Sequence, residues 1–283
     1  MSDDVQRLHK RLAQAGYGSR RVIEEWIRAG RITVNGQKAQ IGASVALGDV
    51  VSIDGKIVNW ERSVAPSKRV LIYNKPNGEV CTRSDPEGRA TVFDRLPRVD
   101  GRWVAVGRLD FTTLGLLLFT NDGELAHRLM HPSIGMEREY AVRVLGQVDE
   151  DMLRRLREGV MLEDGPASFD VVMDAGGQGS NHWYHVVVHE GRNREVRRLW
   201  ESQGVTVSRL IRVRYGPVKL PKGLLPGRYR ELDEDEVNSL LLAVGMHRIE
   251  QKSKPNAAGR KTSRRSATSR KSMSRQERIH AKR

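Results

Sequence analysis

Cys81 is the single cysteine in 283 residues, so no intrachain disulfide can form and no thiolate metal cluster fits. The chain also lacks a paired-histidine zinc motif and a phosphate-binding P-loop, and Gly176-Gly177-Gln178-Gly179 is followed by a strand pattern rather than a helix. Long apolar runs are missing as well. The longest strongly apolar stretch, Leu114 to Phe119, is far too short to cross a bilayer. The opening Met1-Ser2-Asp3-Asp4 has neither the basic nor the apolar region of a signal peptide. These absences describe a soluble, reduced, cytoplasmic protein with no membrane contact, no metal and no cofactor.

Carboxylates are scarce at the far end. Met246 to Arg283 holds thirteen Lys/Arg against two Asp/Glu, a net +11 of the whole-chain +14, so everything upstream is close to neutral. With hardly any large apolar residues, this segment cannot offset its chain entropy by burial and reads as a disordered basic tail. It suits an arm that displaces counterions from RNA phosphates, although a solubilising terminus has the same composition.

The length leaves room for about two domains. Residues 1–54 form the first. Val5, Leu8, Leu12 and Ala15 recur at helical spacing before Gly16-Tyr17-Gly18, and Ser19 is placed to cap a second helix that carries Val22, Ile23, Trp26 and Ile27. Ile32-Thr33-Val34 then meets the hairpin signal Asn35-Gly36. The remaining positions carry Arg7, Lys10, Arg11, Arg20, Arg21, Arg28 and Arg31, a basic set that suits either RNA or plain solvation. Residues 55–68 are polar, contain Pro66, and read as a linker.

The second domain spans 69–245. Strand-like runs (Val70–Asn74, Trp103–Val106, Leu116–Thr120, Glu139–Val144, His185–His189, Leu210–Tyr215) are interleaved with helical candidates at Gly123–Met130, Asp149–Glu158, Asn193–Gln203 and Asp233–Val244. Without regular βαβ alternation, this pattern predicts an α+β fold with a mixed, mainly antiparallel sheet. The tail, 246–283, follows it.

Chemistry concentrates at Gly107-Arg108-Leu109-Asp110, between two apolar runs. Gly107 permits a sharp turn, and Arg108 sets a guanidinium beside the acid. Taken alone, Asp110 is as readily a turn-capping residue. In Gly191-Arg192-Asn193-Arg194-Glu195-Val196-Arg197-Arg198, Asn193 is the expected N-cap, and Arg194, Arg197 and Arg198 fall at i, i+3 and i+4. Tyr140 lies in the alternating Arg138-Glu139-Tyr140-Ala141-Val142. His127 and His131 share a helix face but have no third ligand and are followed by Pro132, so they read as helix-end residues.

The GRLD loop, its GLLLFTNDGELAHRLMHPS continuation, EREYAV from Glu137 and GRNREVRRLW from Gly191 occur in an order that resembles the RsuA/RluB branch of the pseudouridine synthases. The N-terminal helices and RITVNG hairpin resemble the S4 RNA-binding domain. The resemblance covers the chain from near its start to about residue 240. It implies conversion of uridine to pseudouridine without metal or cofactor, with Asp110 as the catalytic acid, Arg197 as its cationic partner and Tyr140 as the active-site tyrosine. Asp110 would act either as a nucleophile or as a base on the sugar. Arg108 would hold phosphate or fill the gap left by a flipped uridine, and Arg194 and Arg198 would face phosphate or solvent. Cys81 to Pro97 and Ser208 to Gly216 lean toward a member acting, as a monomer, on 23S rRNA or a large-subunit assembly intermediate. The implied target is the uridine conventionally numbered 2605, near the peptidyl-transferase centre. Two other readings stay open: a synthase for another rRNA site, and a non-catalytic S4-type ribosome-assembly factor.

Overall fold

Alternation within two consecutive apolar runs determines the centre of the molecule. In the computed structural model, which describes residues 5–58, 67–178 and 181–249, Val70–Lys75 and Leu114–Thr120 pair as adjacent antiparallel strands. Val70, Ile72, Leu116 and Leu118 face one side, while Leu71, Tyr73, Leu117 and Phe119 face the other; all eight are completely buried. A strand covered on both faces has no polar positions, which explains the unbroken run at 116–119.

The N-terminal unit builds around Leu8, Leu12, Ile23, Ile27, Ile32, Val45 and Val51. It comprises β1 (Gln6–Arg7), α1 (Leu8–Gln14), α2 (Arg20–Arg28), β2 (Ile32–Val34), β3 (Gln37–Lys38), β4 (Ser44–Val45), β5 (Val51–Ile53) and β6 (Lys56–Ile57). Ser19 caps α2 by accepting from the Val22 amide at 3.1 Å, as its position predicts. The four-stranded sheet runs β3-β2-β5-β6. One boundary differs from the expected linker at 55. Asp54 and Gly55 both adopt positive φ, turning the chain into β6, and Val58 is buried in the N-terminal core. The residues expected to open the linker thus complete this fold, and 59–66 lie outside the described residues.

Beyond the linker come β7 (Val70–Lys75), β8 (Val104–Val106), β9 (Leu114–Thr120), α3 (Gly123–Met130), β10 (Arg138–Leu145), α4 (Glu150–Glu158), β11 (Val160–Leu162) and β12 (Gly165–Ala167). β13 (Val171–Gln178), β14 (Asn181–Val188), α5 (Glu195–Glu201), β15 (Thr206–Tyr215), β16 (Val218–Lys219), β17 (Tyr229–Glu231) and α6 (Glu234–Ala243) follow. Nine described strands make one sheet in the order β13-β14-β10-β15-β9-β7-β17, with β16 on β15 and β8 on β9. Every pairing in it is antiparallel except β15 with β9, so the fold is α+β with a mixed, mainly antiparallel sheet. Helices α3 and α6 cover the β7–β9 half on one face, and α4 and α5 cover the β10–β14 half. Asp149 and Asp233 cap α4 and α6, and Asp233 with Glu236 forms a reciprocal capping box. The expected tail start at 246 is corrected: Met246 and Ile249 pack against the core under α3 and α6, and the Ile249 amide donates to Asn238 Oδ1 at 2.8 Å, while 250–283 lie outside the described residues. Among the described residues, no helix is long and apolar enough to cross a membrane.

The parallel junction of β9 and β15 is tight. Gly115 has φ +98°, and a Cβ there would lie 2.8 Å from the Arg212 amide nitrogen and closer still to the Arg212 carbonyl oxygen. Arg212, 2% exposed, bolts the same seam by donating Nε–H to the Leu116 carbonyl at 2.7 Å. Gly115→Ala is therefore expected to lose about 3 kcal/mol of stability through overlap and backbone strain together. Urea unfolding checks it, and a loss below about 1 kcal/mol would show that the seam can open.

Candidate active site

Between β8 and β9 the chain makes two sharp changes of direction. Gly107, with φ +79°, starts the first. Leu109 then turns inward and is 7% exposed in a cluster with Tyr73, Trp103 and Phe119. Its backbone is held by Cys81, whose thiol donates to the Leu109 carbonyl at 3.3 Å and whose sulfur lies 3.4 Å from the Leu109 amide. Fixing Leu109 sends its neighbours outward: Arg108 is exposed and Asp110 half-buried. The second turn closes when the Thr113 amide donates to the Asp110 carbonyl at 3.0 Å, leaving Phe111 and Thr112 at the exposed corner.

Two buried cations hold this corner from below. Lys75, at the end of β7, is completely buried, and its ammonium donates to the carbonyls of Pro76 at 3.0 Å, Phe111 at 3.2 Å and Thr113 at 3.0 Å. All three of its N–H groups are engaged. Burial pushes its pKa below the ordinary lysine value, against the opposing pull of Cys81, Glu79 and Asp110. Arg197, on α5 and 7% exposed, donates to the Val207 carbonyl at 2.9 Å and to Thr112 Oγ1 at 3.2 Å. Burial lowers its pKa, Arg194 lowers it further, and the Asp110 carboxylate acts in the opposite sense. Arg197 thus reaches the Asp110 turn through Thr112. No ion pair within 4.0 Å joins it to Asp110 among the described residues, so the expected direct contact is replaced by a longer-range attraction.

Nothing local in the sequence marks Lys75. It ends an apolar run just before Pro76, where a lysine reads as the start of a turn. Its burial without a carboxylate partner depends on carbonyls more than thirty residues away in sequence.

Tyr140 is half-buried on β10, opposite Val186 of β14 and Arg212 of β15, and its ring packs against both the α4–α5 core and the cluster holding Leu109. A register shift falls between Glu139 and Tyr140 in the β10–β15 ladder, and such an irregularity re-aims the side chains beside it. Glu139 is clamped by His185 Nδ1 at 2.8 Å and by Arg214 Nε at 2.8 Å, joining three strands next to Tyr140. Burial raises the Glu139 pKa, but these two hydrogen bonds outweigh it and hold the carboxyl below its ordinary range. A carboxylate with a lowered folded pKa contributes stability above its unfolded pKa, and loses it as pH falls through the folded value. Glu139→Gln should therefore be less stable than the parent at neutral pH, with the difference shrinking as pH falls below about 4. Thermal unfolding at pH 7 and pH 3.5 tests this, and a gap of equal size at both would rule out the charge as its source.

The other basic residues divide sharply. Arg198 forms a two-point pair with Asp164, both contacts at 2.8 Å, which occupies its guanidinium. Arg194 adopts φ 50° and is itself the N-cap residue of α5, so the expected cap at Asn193 does not form; its Nη2 lies 3.5 Å from Glu201. In the N-terminal unit, Arg31 is paired two-fold with Asp54 and lies over the Trp26 ring at 5.0 Å. Arg28 lies 3.8 Å from Glu24, and Arg7 donates to the Gly42 carbonyl. Arg20 and Arg21 are exposed near the start of α2, while Lys10 and Arg11 are half-buried on α1. Arg108 is exposed beside Asp110, with no hydrogen bond or ion pair to its guanidinium among the described residues.

The arrangement offers one carboxylate at a turn held by two cations, beside an aromatic ring and an exposed arginine. Among the described residues no group of three His, Cys, Asp or Glu side chains could hold a metal ion. Residues 69–202 match the family model described as RNA pseudouridylate synthase, and residues 6–51 match the S4 domain. The chain is 61% identical over 243 residues to "Ribosomal large subunit pseudouridine synthase B" of Pseudomonas aeruginosa, covering 85% of this chain and 63% of the relative. It thus spans a little under two thirds of that relative's length. It is 60% identical over 238 residues to the protein of the same name in Salmonella typhi, covering 83% of this chain and 82% of the relative. A solved structure described as "Crystal structure of pseudouridylate synthase" superposes with a TM-score of 0.58 at 27% identity, over 83% of this chain and 99% of that one. With residues 69–202 matching the family model and a 60% identical relative covered over 82% of its length, the chain belongs to the RNA pseudouridylate synthase family.

Proposed function

We propose that the protein isomerises uridine to pseudouridine in 23S rRNA, with Asp110 acting at the sugar of a uridine flipped out of the RNA. The observation that carries this reading is the Asp110 turn, a half-buried carboxylate whose backbone is tied down by Lys75 and Arg197. The reaction breaks the N1–C1′ bond, rotates the uracil and joins its C5 to C1′. It consumes no redox equivalent and no second substrate, so one placed carboxylate meets its demand, whether it attacks carbon or accepts a proton. Pre-organisation is the contribution of the two cations: they fix the turn before RNA binds, so less ordering is left for the reactive complex. Tyr140 offers a ring face for the extruded uracil and a hydroxyl for its polar edge. Arg108 is free to take phosphate or the vacated place in the stack.

The names and the 60–61% identity of the two relatives support large-subunit RNA as the substrate. The N-terminal unit supports docking on folded RNA, with Arg20 and Arg21 exposed at the start of α2. We assign the target to the uridine near the peptidyl-transferase centre, and the acting form to a cytoplasmic monomer. Incubation with unmodified 23S rRNA, carbodiimide treatment and primer extension tests the assignment. A new stop at that uridine is expected. A stop elsewhere in ribosomal RNA would move the target, and binding without any stop would leave an RNA-binding factor.

A further inference from the structure

Phe111 follows Asp110 directly, and its side chain is 44% exposed. Its surroundings are not those of a loose loop. The Phe111 carbonyl accepts from the Gly78 amide at 3.1 Å and from Lys75 Nζ at 3.2 Å. On either side, the Asp110 carbonyl is engaged by Thr113 and the Thr112 hydroxyl by Arg197. The backbone is therefore fixed at Asp110 and Phe111, and the Thr112 side chain is held beside them, while the ring is left exposed at the corner. Leaving that much apolar surface in water forfeits burial energy, so an occupant of matching shape would be stabilised there.

The charges around the ring indicate what kind of occupant fits. Arg89 places its guanidinium carbon 5.9 Å from the ring centroid. Arg89 is itself held by Asp85 at 2.8 and 3.0 Å, and those hydrogen bonds push the Asp85 carboxyl down to about 2. Arg108 stands three residues before Phe111, exposed and without a partner among the described residues. An exposed flat ring with Arg89 over it, that guanidinium paired with Asp85 and Glu87, and with the exposed Arg108 three residues earlier in the chain, suits a nucleobase whose phosphate reaches Arg108, since every base offers a π-face and every linkage a negative charge. Tyr140, the ring proposed for the reacting uracil, lies on β10 and packs against the cluster that holds Leu109.

We propose that Phe111 is a stacking platform for a nucleobase adjacent to the target uridine, and so a positioning residue that helps select which uridine enters. This rests on the proposed activity and adds a second base contact to it. Binding energy is gained at the neighbouring base, so the loss on removing the ring falls on substrate binding rather than on the chemical step.

The test uses the full chain and a 23S rRNA fragment containing the target, with 2-aminopurine substituted at either neighbouring position in turn. Wild type should form pseudouridine in the unlabelled fragment and quench 2-aminopurine at one of the two neighbours. Phe111→Ala should raise KM about tenfold, within the range found for base–aromatic stacking, with kcat changed less than about threefold. It should also abolish the quench. Phe111→Trp should restore both, and Phe111→Leu, apolar but not flat, should restore neither fully. Because the ring is exposed, all three variants should unfold at the temperature of the parent. An Ala variant with unchanged KM and unchanged quench would overturn the proposal. So would a loss confined to kcat, which would place the ring's effect on Asp110 itself. Absence of pseudouridine with wild type would count against the proposed activity instead, and the quench would still report whether a base stacks on Phe111.

Discussion

Asp110→Asn is expected to reduce pseudouridine formation at least about a thousandfold, equivalent to about 4 kcal/mol of barrier, while leaving fold and RNA affinity nearly unchanged. The substitution preserves shape. The Asp110 carbonyl, which closes the turn with Thr113, belongs to the backbone and survives the change. What disappears is the negative charge, and with it both the nucleophile and the base. Such a loss should appear in turnover with substrate binding retained. A variant within about tenfold of the parent, about 1.4 kcal/mol, would remove Asp110 from the centre of the mechanism. Single-turnover rates with radiolabelled rRNA, measured beside filter-binding affinities, separate the two effects.

Arg197→Met should have the second-largest effect, and the structure shows how it divides. The guanidinium is buried, so its removal relieves a desolvation cost that already lowers its pKa. Against that relief, the Val207 carbonyl loses its bond to Arg197 and the Thr112 hydroxyl loses its anchor. A buried acceptor left without a partner costs about 1–3 kcal/mol. Because no carboxylate among the described residues lies within 4.0 Å of the guanidinium, the 3–5 kcal/mol penalty typical of a broken buried ion pair does not apply. We expect a net destabilisation of about 2 kcal/mol, and a fall in turnover of about a hundredfold, about 2.7 kcal/mol of barrier, as the Asp110 turn loosens. Arg197→Lys keeps the charge without the fork, so it should recover more stability than activity. Urea unfolding and turnover measured on the same preparations provide the check. A Met variant with parental turnover would show that Lys75 alone suffices to hold the turn.

The elements that could be read from sequence were those whose signals are local. Ser19, Asp149 and Asp233 stand at the starts of their helices, and each accepts a hydrogen bond from the first turn. Asn35-Gly36 makes the hairpin its composition predicts. Asp54-Gly55 makes a second such turn. The expected domain boundary cuts through this turn, because Lys56-Ile57 is too short to show alternation by itself. Within the proposed site, motif order points to Asp110 and Tyr140, whereas nothing local points to Lys75. Its role arises only when β7 and the 107–113 turn come together across the sheet. The basic residues misled in the other direction. Arg31 and Arg198 look free in the sequence, yet their partners Asp54 and Asp164 lie 23 and 34 residues away. Asn193 has the composition of a cap, but the positive φ at Arg194 shifts the helix start by one residue.

Release of tritium from 23S rRNA labelled at C5 of uridine tests the central claim most directly. Joining C5 to C1′ expels the hydrogen from C5, so each turnover frees one label whatever the role of Asp110 at the sugar. Wild-type protein should release label to a plateau of one uridine per rRNA molecule, and Asp110→Asn should release none above background. Release by the Asn variant at the parental rate, or none by either protein, would contradict the account.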